Sequence, residues 1–242
     1  MVKIILLICG YLATILVNIL ANTLPINGQT TGEISARIPA LFTPAGYVFS
    51  IWIVIYILLA FWIWNIIREY RIEHKIPLQR VVLFLATCLF NISWILLWHY
   101  EHFSYALITI LALLWSLFLL YLTYSSSESN WKRRIPISIY LGWIFVATIA
   151  NLDYVLTYYE FSGFGITTSL WVVIFLTLAT AIALHFRYHY DDRAIVLVFI
   201  WAFIGIAVRH NVNELLISAA SLFLSAVLVV GILFIKKTPT KN

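Results

Sequence analysis

The stretch LFTPAGYVFSIWIVIY, residues 41–56, begins as a loop and continues as an apolar helix. Pro44 marks the loop, because proline lacks the backbone donor that a helix interior needs. The helical part places Phe49, Trp52 and Tyr56 at i, i+3 and i+7, which is one face of a helix. Large aromatic side chains along one face of an apolar helix predict either tight packing or the wall of a pocket for a flat, apolar ligand.

The composition of the whole chain is that of a membrane protein. Of the 242 residues, 63% are hydrophobic and 10% are charged, and the mean hydropathy is +0.98. Soluble domains are nearer half apolar and a quarter charged. We therefore predict an all-α fold, a polytopic transmembrane helical bundle of about eight spans of roughly 20 apolar residues each. The predicted spans are residues 4–24, 45–67, 79–99, 104–124, 135–155, 168–188, 193–210 and 213–235.

The basic residues predict the orientation of this bundle. All but two of the 15 Lys and Arg fall on one side of it, and the exceptions are Arg37 and Arg209. The positive-inside rule then places both termini in the cytoplasm of an integral, multi-pass protein of the cell (plasma) membrane. Short basic loops beside spans are topology signals, so the net charge of +5 indicates the lipid bilayer as partner and no nucleic acid. The residues of the basic side are Lys3, Arg68, Arg71, Lys75, Arg80, Lys132, Arg133, Arg134, Arg187, Arg193, Lys236, Lys237 and Lys241.

The titratable residues of the basic side predict neither a catalytic nor a metal site. His185 and His189 are four residues apart, but they end a span at its basic edge, where a solvated helix end is the expected interpretation. Cys9 and Cys88 both fall inside spans, so neither indicates a disulfide or a metal site.

On the opposite side, His99, Glu101 and His102 lie in a short predicted turn, and we expect them to be solvated. Arg209 and Glu214 flank the last turn on this side, and we expect them to pair with each other.

The third and fifth predicted spans repeat the aromatic face of the second. Each carries an asparagine, and an amide in hydrocarbon needs a hydrogen-bond partner, so both faces should point into the bundle. Two interpretations stay open, namely a packed aromatic core held by the two asparagines and a pocket. The residues on these faces are Asn91, Trp94 and Trp98 in the third span and Tyr140, Trp143, Ala147 and Asn151 in the fifth.

Three of these segments resemble, in order, motifs of the translocator-protein family, also called TspO or tryptophan-rich sensory proteins. FTPAGYVFSIWIVIY at 42–56 is similar to the family's aromatic–Pro-Pro–aromatic segment followed by V-W-x-x-L-Y, with Pro44 and Ala45 in place of the double proline. LFNISWILLW at 89–98 resembles L-N-x-x-W-S. IPISIYLGWIFVATIANLDYVL at 135–156 resembles P-Y-x-x-W-x-x-F-A-x-x-L-N.

The resemblance implies a TspO-like five-helix core in residues 1–157 and three additional C-terminal transmembrane helices in residues 158–242, within the same membrane domain. It also implies that the ligand is a tetrapyrrole, such as a porphyrin or haem, or a similar lipophile, with no cofactor required. Arg37 or the loop before the second span would hold a propionate of such a ligand. A homodimer is a further expected partner. The ligand-binding positions implied are Trp52, Asn91, Trp94, Trp143 and Ala147, with Phe49, Tyr56 and Asn151 nearby.

The expected function is that of a membrane receptor or carrier for such lipophiles, with a regulatory role. A porphyrin-degrading enzyme is one alternative, because Trp52 and Trp143 match tryptophan positions implicated in porphyrin breakdown in this family, although no residue set here requires catalysis. A secondary transporter with a four-plus-four helix repeat is another. A repeat of this kind would explain the similarity between SIWIVIY at 50–56 and SLWVVIF at 169–175.

The distribution of basic residues leads to a test of topology. In a chain whose Cys9 and Cys88 are replaced by alanine, a membrane-impermeant thiol reagent applied from outside the cell should label Asn27→Cys and leave Ser127→Cys unlabelled. The reverse pattern would invert the orientation. External labelling of a cysteine placed at the C-terminus would contradict an even number of spans with both termini inside.

Overall fold

The computed structural model describes residues 1–24, 26–124 and 133–235, and within these ranges it is helical throughout, with short turns between the helices. Eight of the helices are long and apolar enough to cross a membrane, which confirms the predicted all-α polytopic bundle. The helices are α1 (Val2–Thr23), α2 (Thr31–Ala36), α3 (Ile51–Glu73), α4 (Leu78–His99), α5 (Phe103–Leu122), α6 (Arg134–Tyr158), α7 (Thr168–Tyr190), α8 (Arg193–His210) and α9 (Leu215–Phe234).

The helix α2 is too short to span and lies in the connection between α1 and α3. Thr30 caps its first turn with a capping box, in which its side chain accepts from the Glu33 backbone and the Glu33 carboxylate accepts from the Thr30 backbone. A 3₁₀ turn, Gly46–Ser50, then leads into α3.

The predicted basic residues that the structure describes, from Lys3 to Arg193, lie at one end of the bundle, here called the basic end. There Lys3 Nζ donates to Ile76 O at 3.0 Å, which joins the start of α1 to the α3–α4 turn. Arg80 donates to Thr123 O at 2.8 Å and joins α4 to the end of α5. Lys132, Lys236, Lys237, Lys241 and Ser127 lie outside the described residues, and which end faces the cytoplasm stays a prediction.

The packing arranges the first five spans as a ring. The helix α1 packs on α4, α4 on α5, α5 on α6 and α6 on α3, and α3 returns to α1 with looser contact. The helix α6 also packs on α8, and α7, α8 and α9 pack on one another. The helix α6 is the most buried of the eight spans, because it is shared by both groups. The described residues on both sides of residue 157 therefore contribute to one continuous core. The division of the chain into a core of residues 1–157 and an addition of residues 158–242 stays a prediction.

A buried polar cluster joins the two groups at the basic end. The Asp192 carboxylate accepts from Ser138 Oγ at 2.6 Å and from Tyr121 Oη at 3.1 Å, and it lies 3.5 Å from Arg134 Nε. Its other oxygen caps α8 by accepting from Ile195 N at 3.1 Å. The cluster thus connects α5, α6 and the start of α8, and both charged side chains are almost fully buried.

We expect Asp192→Asn to destabilise the protein strongly, since it keeps the size of the side chain but leaves the buried Arg134 guanidinium without its counter-charge. Breaking a buried ion pair from one side costs about 3–5 kcal/mol. The measurement is the unfolding free energy or the thermal midpoint in detergent.

Glu73→Gln is the matched control, because Glu73 is an exposed carboxylate at the same end of the bundle. A substitution at such a surface position should change the unfolding free energy by no more than about 0.5 kcal/mol. Equal stability of the two variants would mean that the Arg134–Asp192 pair contributes nothing to the fold.

Candidate ligand-binding site

The aromatic faces of α3 and α6 meet inside the bundle. The Trp52 ring stacks on Tyr56 with centroids 5.7 Å apart and 21° between the planes. It also meets the edges of Tyr140 at 5.9 Å and Trp143 at 6.3 Å. Phe49 contacts Trp143 edge-on at 5.8 Å. The one-face spacing of residues 49, 52 and 56 therefore places an aromatic cluster beside α6.

A large cavity of about 1130 Å³ lies between α1 and α3, in the half of the bundle away from the basic end. Its lining is mainly apolar and extends from Gly46, in the 3₁₀ turn, to Phe61 on α3. Four of the predicted ligand-binding residues line it, namely Phe49, Trp52, Tyr56 and Trp94.

This cavity is open between the two helices. Ile19 on α1 and Ile53 and Ile57 on α3 line it and are more than half exposed on the outer surface of the bundle. Across the gap, Tyr11 Oη donates to Tyr56 O at 2.8 Å. Because lipid surrounds the outer surface of a span, the opening faces the bilayer as well as the predicted loop between α1 and α3.

A second, much smaller cavity of about 40 Å³ adjoins the first, and Phe49, Trp52 and Trp94 line both. This volume is far smaller than the roughly 300–1,000 Å³ that is typical of small-molecule sites. The predicted ligand-binding residues are thus distributed over two adjoining cavities that share part of their lining. The predicted residues that line only the small cavity are Trp143, Ala147 and Asn151.

The two asparagines predicted to bind a ligand make hydrogen bonds between helices. Asn91 Oδ1 accepts from Asn18 Nδ2 at 2.8 Å, and Asn91 Nδ2 donates to Tyr140 Oη at 3.1 Å, which joins α1, α4 and α6. Asn151 Oδ1 accepts from Trp94 Nε1 at 3.0 Å. Asn91 is fully buried and lines neither cavity, so its hydrogen bonds favour the interpretation as a structural link, while its role in ligand binding stays a prediction.

Residues 26–45 form a cover over the large cavity, here called the cover segment. His99 is part of its attachment, because its ring nitrogens bond Ile26 O at 3.1 Å and Thr31 Oγ1 at 2.9 Å. His99 is 1% exposed, so the expectation that it is solvated is wrong; the turn around it is folded against the cover segment. Glu101 accepts from Arg37 at 2.6 Å, and this ion pair lowers the pKa of the Glu101 carboxyl.

The far side of the cover segment is attached to α6 and α8. Tyr154 Oη donates to Ile34 O at 3.0 Å, and the Asp153 carboxylate accepts from Phe42 N at 2.9 Å. From α8, Arg209 Nη1 donates to Thr43 O at 2.7 Å, and His210 Nε2 bonds Leu41 O at 2.7 Å. The helix α8, one of the last three spans, therefore helps to position the cover of the cavity.

The prediction that Arg209 pairs with Glu214 is wrong. Arg209 points to the cover segment instead, because the carbonyls of an irregular segment at the end of a bundle need donors. Glu214 accepts from Ser169 Oγ at 3.2 Å.

Three buried polar atoms beside the cavities have no hydrogen-bond partner among the described residues. They are Tyr56 Oη, Trp98 Nε1 and Trp143 Nε1. Tyr56 lines the large cavity, and both tryptophans line the small one. Most buried donors in folded proteins are paired, so these atoms are available to an acceptor on a bound molecule.

Sequence analysis missed two residues of this site on α1. Tyr11 and Asn18 line the large cavity, and Asn18 completes the amide link to Asn91. With Thr14 they follow the i, i+3, i+7 spacing that marked α3 and α4. An asparagine in the middle of the first span is the signal that identifies this face.

These features define a multi-pass helical membrane protein with an aromatic-walled cavity that opens between its first two spans. The chain matches the family model of TSPO-like proteins over residues 4–234, and it belongs to that family. The match continues past residue 157 and reaches all eight spans, so it is not confined to the first five. No match was found among curated proteins or among solved structures.

The amide link gives a test of its structural role. We expect Asn91→Leu to lower the unfolding free energy in detergent by about 0.5–2 kcal/mol, the range of interhelical hydrogen bonds in membranes, because Asn18 and Tyr140 both lose a partner.

Asn65→Leu is the control, because the Asn65 amide bonds Glu69 on its own helix at 2.9 Å. That variant should stay within about 0.5 kcal/mol of the parent. If Asn91→Leu is equally stable but binds ligands differently, Asn91 would belong to the binding site and not to the framework.

Proposed function

We propose that this protein is a membrane receptor or carrier that binds a tetrapyrrole, or a lipophile of similar shape, in the large cavity between α1 and α3. The observation that carries the proposal is the coincidence of a cavity of about 1130 Å³ with the aromatic wall formed by Trp52 and Tyr56. Membership of the TSPO-like family supports a TspO-type membrane protein and agrees with this proposal.

The size and lining of the cavity suit a large, flat, apolar ligand. Small-molecule and cofactor sites have volumes of about 300–1,000 Å³ and are mainly apolar with few polar groups. Rings of Phe49, Trp52, Tyr56 and Trp94 line the cavity, and aromatic rings favour stacked or edge-on contacts with a macrocycle. The unpaired Tyr56 hydroxyl adds a polar group that could fix the orientation of a ligand with a hydrogen-bond acceptor.

The lateral opening supports binding from the bilayer. A lipophile dissolved in the membrane can pass between α1 and α3 without crossing water, since the gap is bordered by exposed apolar side chains such as Ile19 and Ile53. The cover segment lies over the cavity end that is farthest from the basic end. A ligand exchanged with the membrane, and held beneath a cover, fits a receptor or carrier with a regulatory role.

A secondary transporter is a second candidate, because the packing of the spans repeats. In the first half α1 packs on α4 and α4 on α5, and in the second half α6 packs on α8 and α8 on α9. Each half thus joins its first span to its third and its third to its fourth. The second span of each half, α3 and α7, carries the similar segments at residues 50–56 and 169–175 but packs differently in the two halves. Some transporters are built from parallel repeats.

The aromatic wall gives the test of ligand binding. We expect Trp52→Ala to weaken the binding of protoporphyrin about tenfold or more, because it removes a ring contact of about 0.5–1.5 kcal/mol together with buried area. Trp143→Ala should also weaken binding, since its ring supports Trp52 and Phe49. The measurement is the shift of the porphyrin absorption band on titration of folded protein in detergent.

Trp64→Ala is the matched control, because Trp64 lies on the same helix but is 69% exposed and lines neither cavity. Unchanged affinity in folded Trp52→Ala and Trp143→Ala proteins would refute binding in this cavity. A band that bleaches with time would indicate degradation of the porphyrin, and movement of porphyrin across proteoliposome membranes would favour the transporter.

A further inference from the structure

The large cavity contains a single charged residue, Arg209, among the described residues that line it. This residue comes from α8, which lies far from α1 and α3 in the chain. Gly205, one turn earlier, allows the approach: a Cβ at this glycine would lie 2.1 Å from Val48 Cγ2. The Gly205 carbonyl also accepts from Ala45 N at 3.1 Å. The helix α8 is therefore in close contact with the end of the cover segment, which brings Arg209 to the cavity.

Only part of the Arg209 guanidinium is engaged in this position. Nη1 donates to Thr43 O at 2.7 Å and to Ala40 O at 3.2 Å. Within the described residues, Nε and Nη2 have no hydrogen-bond partner and no carboxylate within ion-pair distance. These two nitrogens form one edge of the guanidinium fork, and that edge matches the two oxygens of a carboxylate.

Asp153, an acidic group that acts electrostatically on Arg209, makes no hydrogen bond with this edge. Asp153 is close enough to influence Arg209 electrostatically, but its carboxylate is buried and accepts from Phe42 N at 2.9 Å. Arg209 itself is partly exposed and lines the cavity, whose remaining wall is uncharged among the described residues. A cation beside an apolar cavity attracts anions more strongly than one in water, because the surroundings screen it less. Ionisable residues within spans are typical of ligand pathways.

We propose that the cavity takes a carboxylate-bearing lipophile, with the carboxylate on Arg209 beneath the cover segment and the apolar body between α1 and α3 along Trp52 and Tyr56. This inference rests on the proposed function and specifies the chemical class of its ligand. It makes Arg209 the specificity-determining residue of the site. It also gives α8, which lies outside the first five spans, a direct part in recognition.

Arg37, the other basic residue away from the basic end, does not fit this role. Its Nη1 is bound to Glu101 at 2.6 Å and to Gln29 at 3.3 Å, and it lines neither cavity. The residue that sequence analysis expected to hold a propionate is thus paired outside the cavity. Arg37 instead offers a matched control, since it carries the same charge at the same end of the protein.

The test compares protoporphyrin IX with its dimethyl ester, because the two share a ring system and differ in their carboxylates. We expect Arg209→Gln to weaken the binding of the free acid about tenfold or more, because the variant loses a charged hydrogen-bonded pair. The binding of the ester should be unchanged. Arg209→Lys should recover part of the loss, because it keeps the charge without the fork. Arg37→Gln should bind both ligands like the parent protein.

The ester separates recognition from folding. If Arg209→Gln loses affinity for acid and ester equally, Arg209 only holds the cover segment and the inference is wrong. If Arg209→Gln binds the free acid as tightly as the parent protein does, the inference about Arg209 is also wrong. The proposed function would still stand in that case, because the parent protein binds the porphyrin. If the parent protein binds neither compound, the tetrapyrrole function itself fails, which is a different result from either of these.

Discussion

The amide link between Asn18 and Asn91 decides which helices of the first half stay together. Apolar helices gain little by leaving lipid for one another, so close packing and polar contacts determine their association. The link joins α1 to α4, and Asn91 extends it to Tyr140 on α6. The helix α3 has no part in this link. In the half of the bundle that holds the cavity, it meets α6 through aromatic contacts and α1 through one hydrogen bond from Tyr11. Nearer the basic end, Trp62 of α3 donates to Tyr124 and packs on Phe84 of α4. The gap between α1 and α3 follows from this difference, and the cavity lies in that gap.

The cover segment depends on a second constraint, the satisfaction of its backbone. Much of residues 26–45 is irregular, and carbonyls at the edge of a membrane need donors. Polar side chains at the ends of α4, α6 and α8 supply them, through His99, Tyr154, Arg209 and His210. The ends of the third, fifth and seventh spans therefore fix the cover in place. One of the C-terminal spans, α8, therefore helps to hold the cover of the cavity, and the family match continues to residue 234.

Much of this fold can be predicted from the sequence, because hydropathy and one-face spacing are local properties. The eight spans, the basic end and the inward aromatic face of Trp52 and Tyr56 all follow from such patterns. The attachments of the cover segment do not, since Arg209 reaches Thr43 across 166 positions of the chain. His99 was expected in solvent for the same reason: only the folded cover segment shows what buries it. The distribution of the predicted residues over two adjoining cavities depends on side-chain packing that spacing alone cannot specify.

The two echoed segments show that an aromatic pair does not by itself produce a cavity. Trp171 and Phe175 on α7 correspond to Trp52 and Tyr56 on α3, and their ring centroids are 5.8 Å apart, against 5.7 Å in the first pair. Yet Trp171 Nε1 donates to Gly163 O at 3.1 Å, and no residue of α7 lines either cavity. The helix α7 packs along both α8 and α9, whereas α3 packs mainly on α6. The aromatic pair on α3 therefore lines a cavity because α1 does not pack closely against it. The amide link holds α1 to α4 and leaves α3 out, which keeps this gap open.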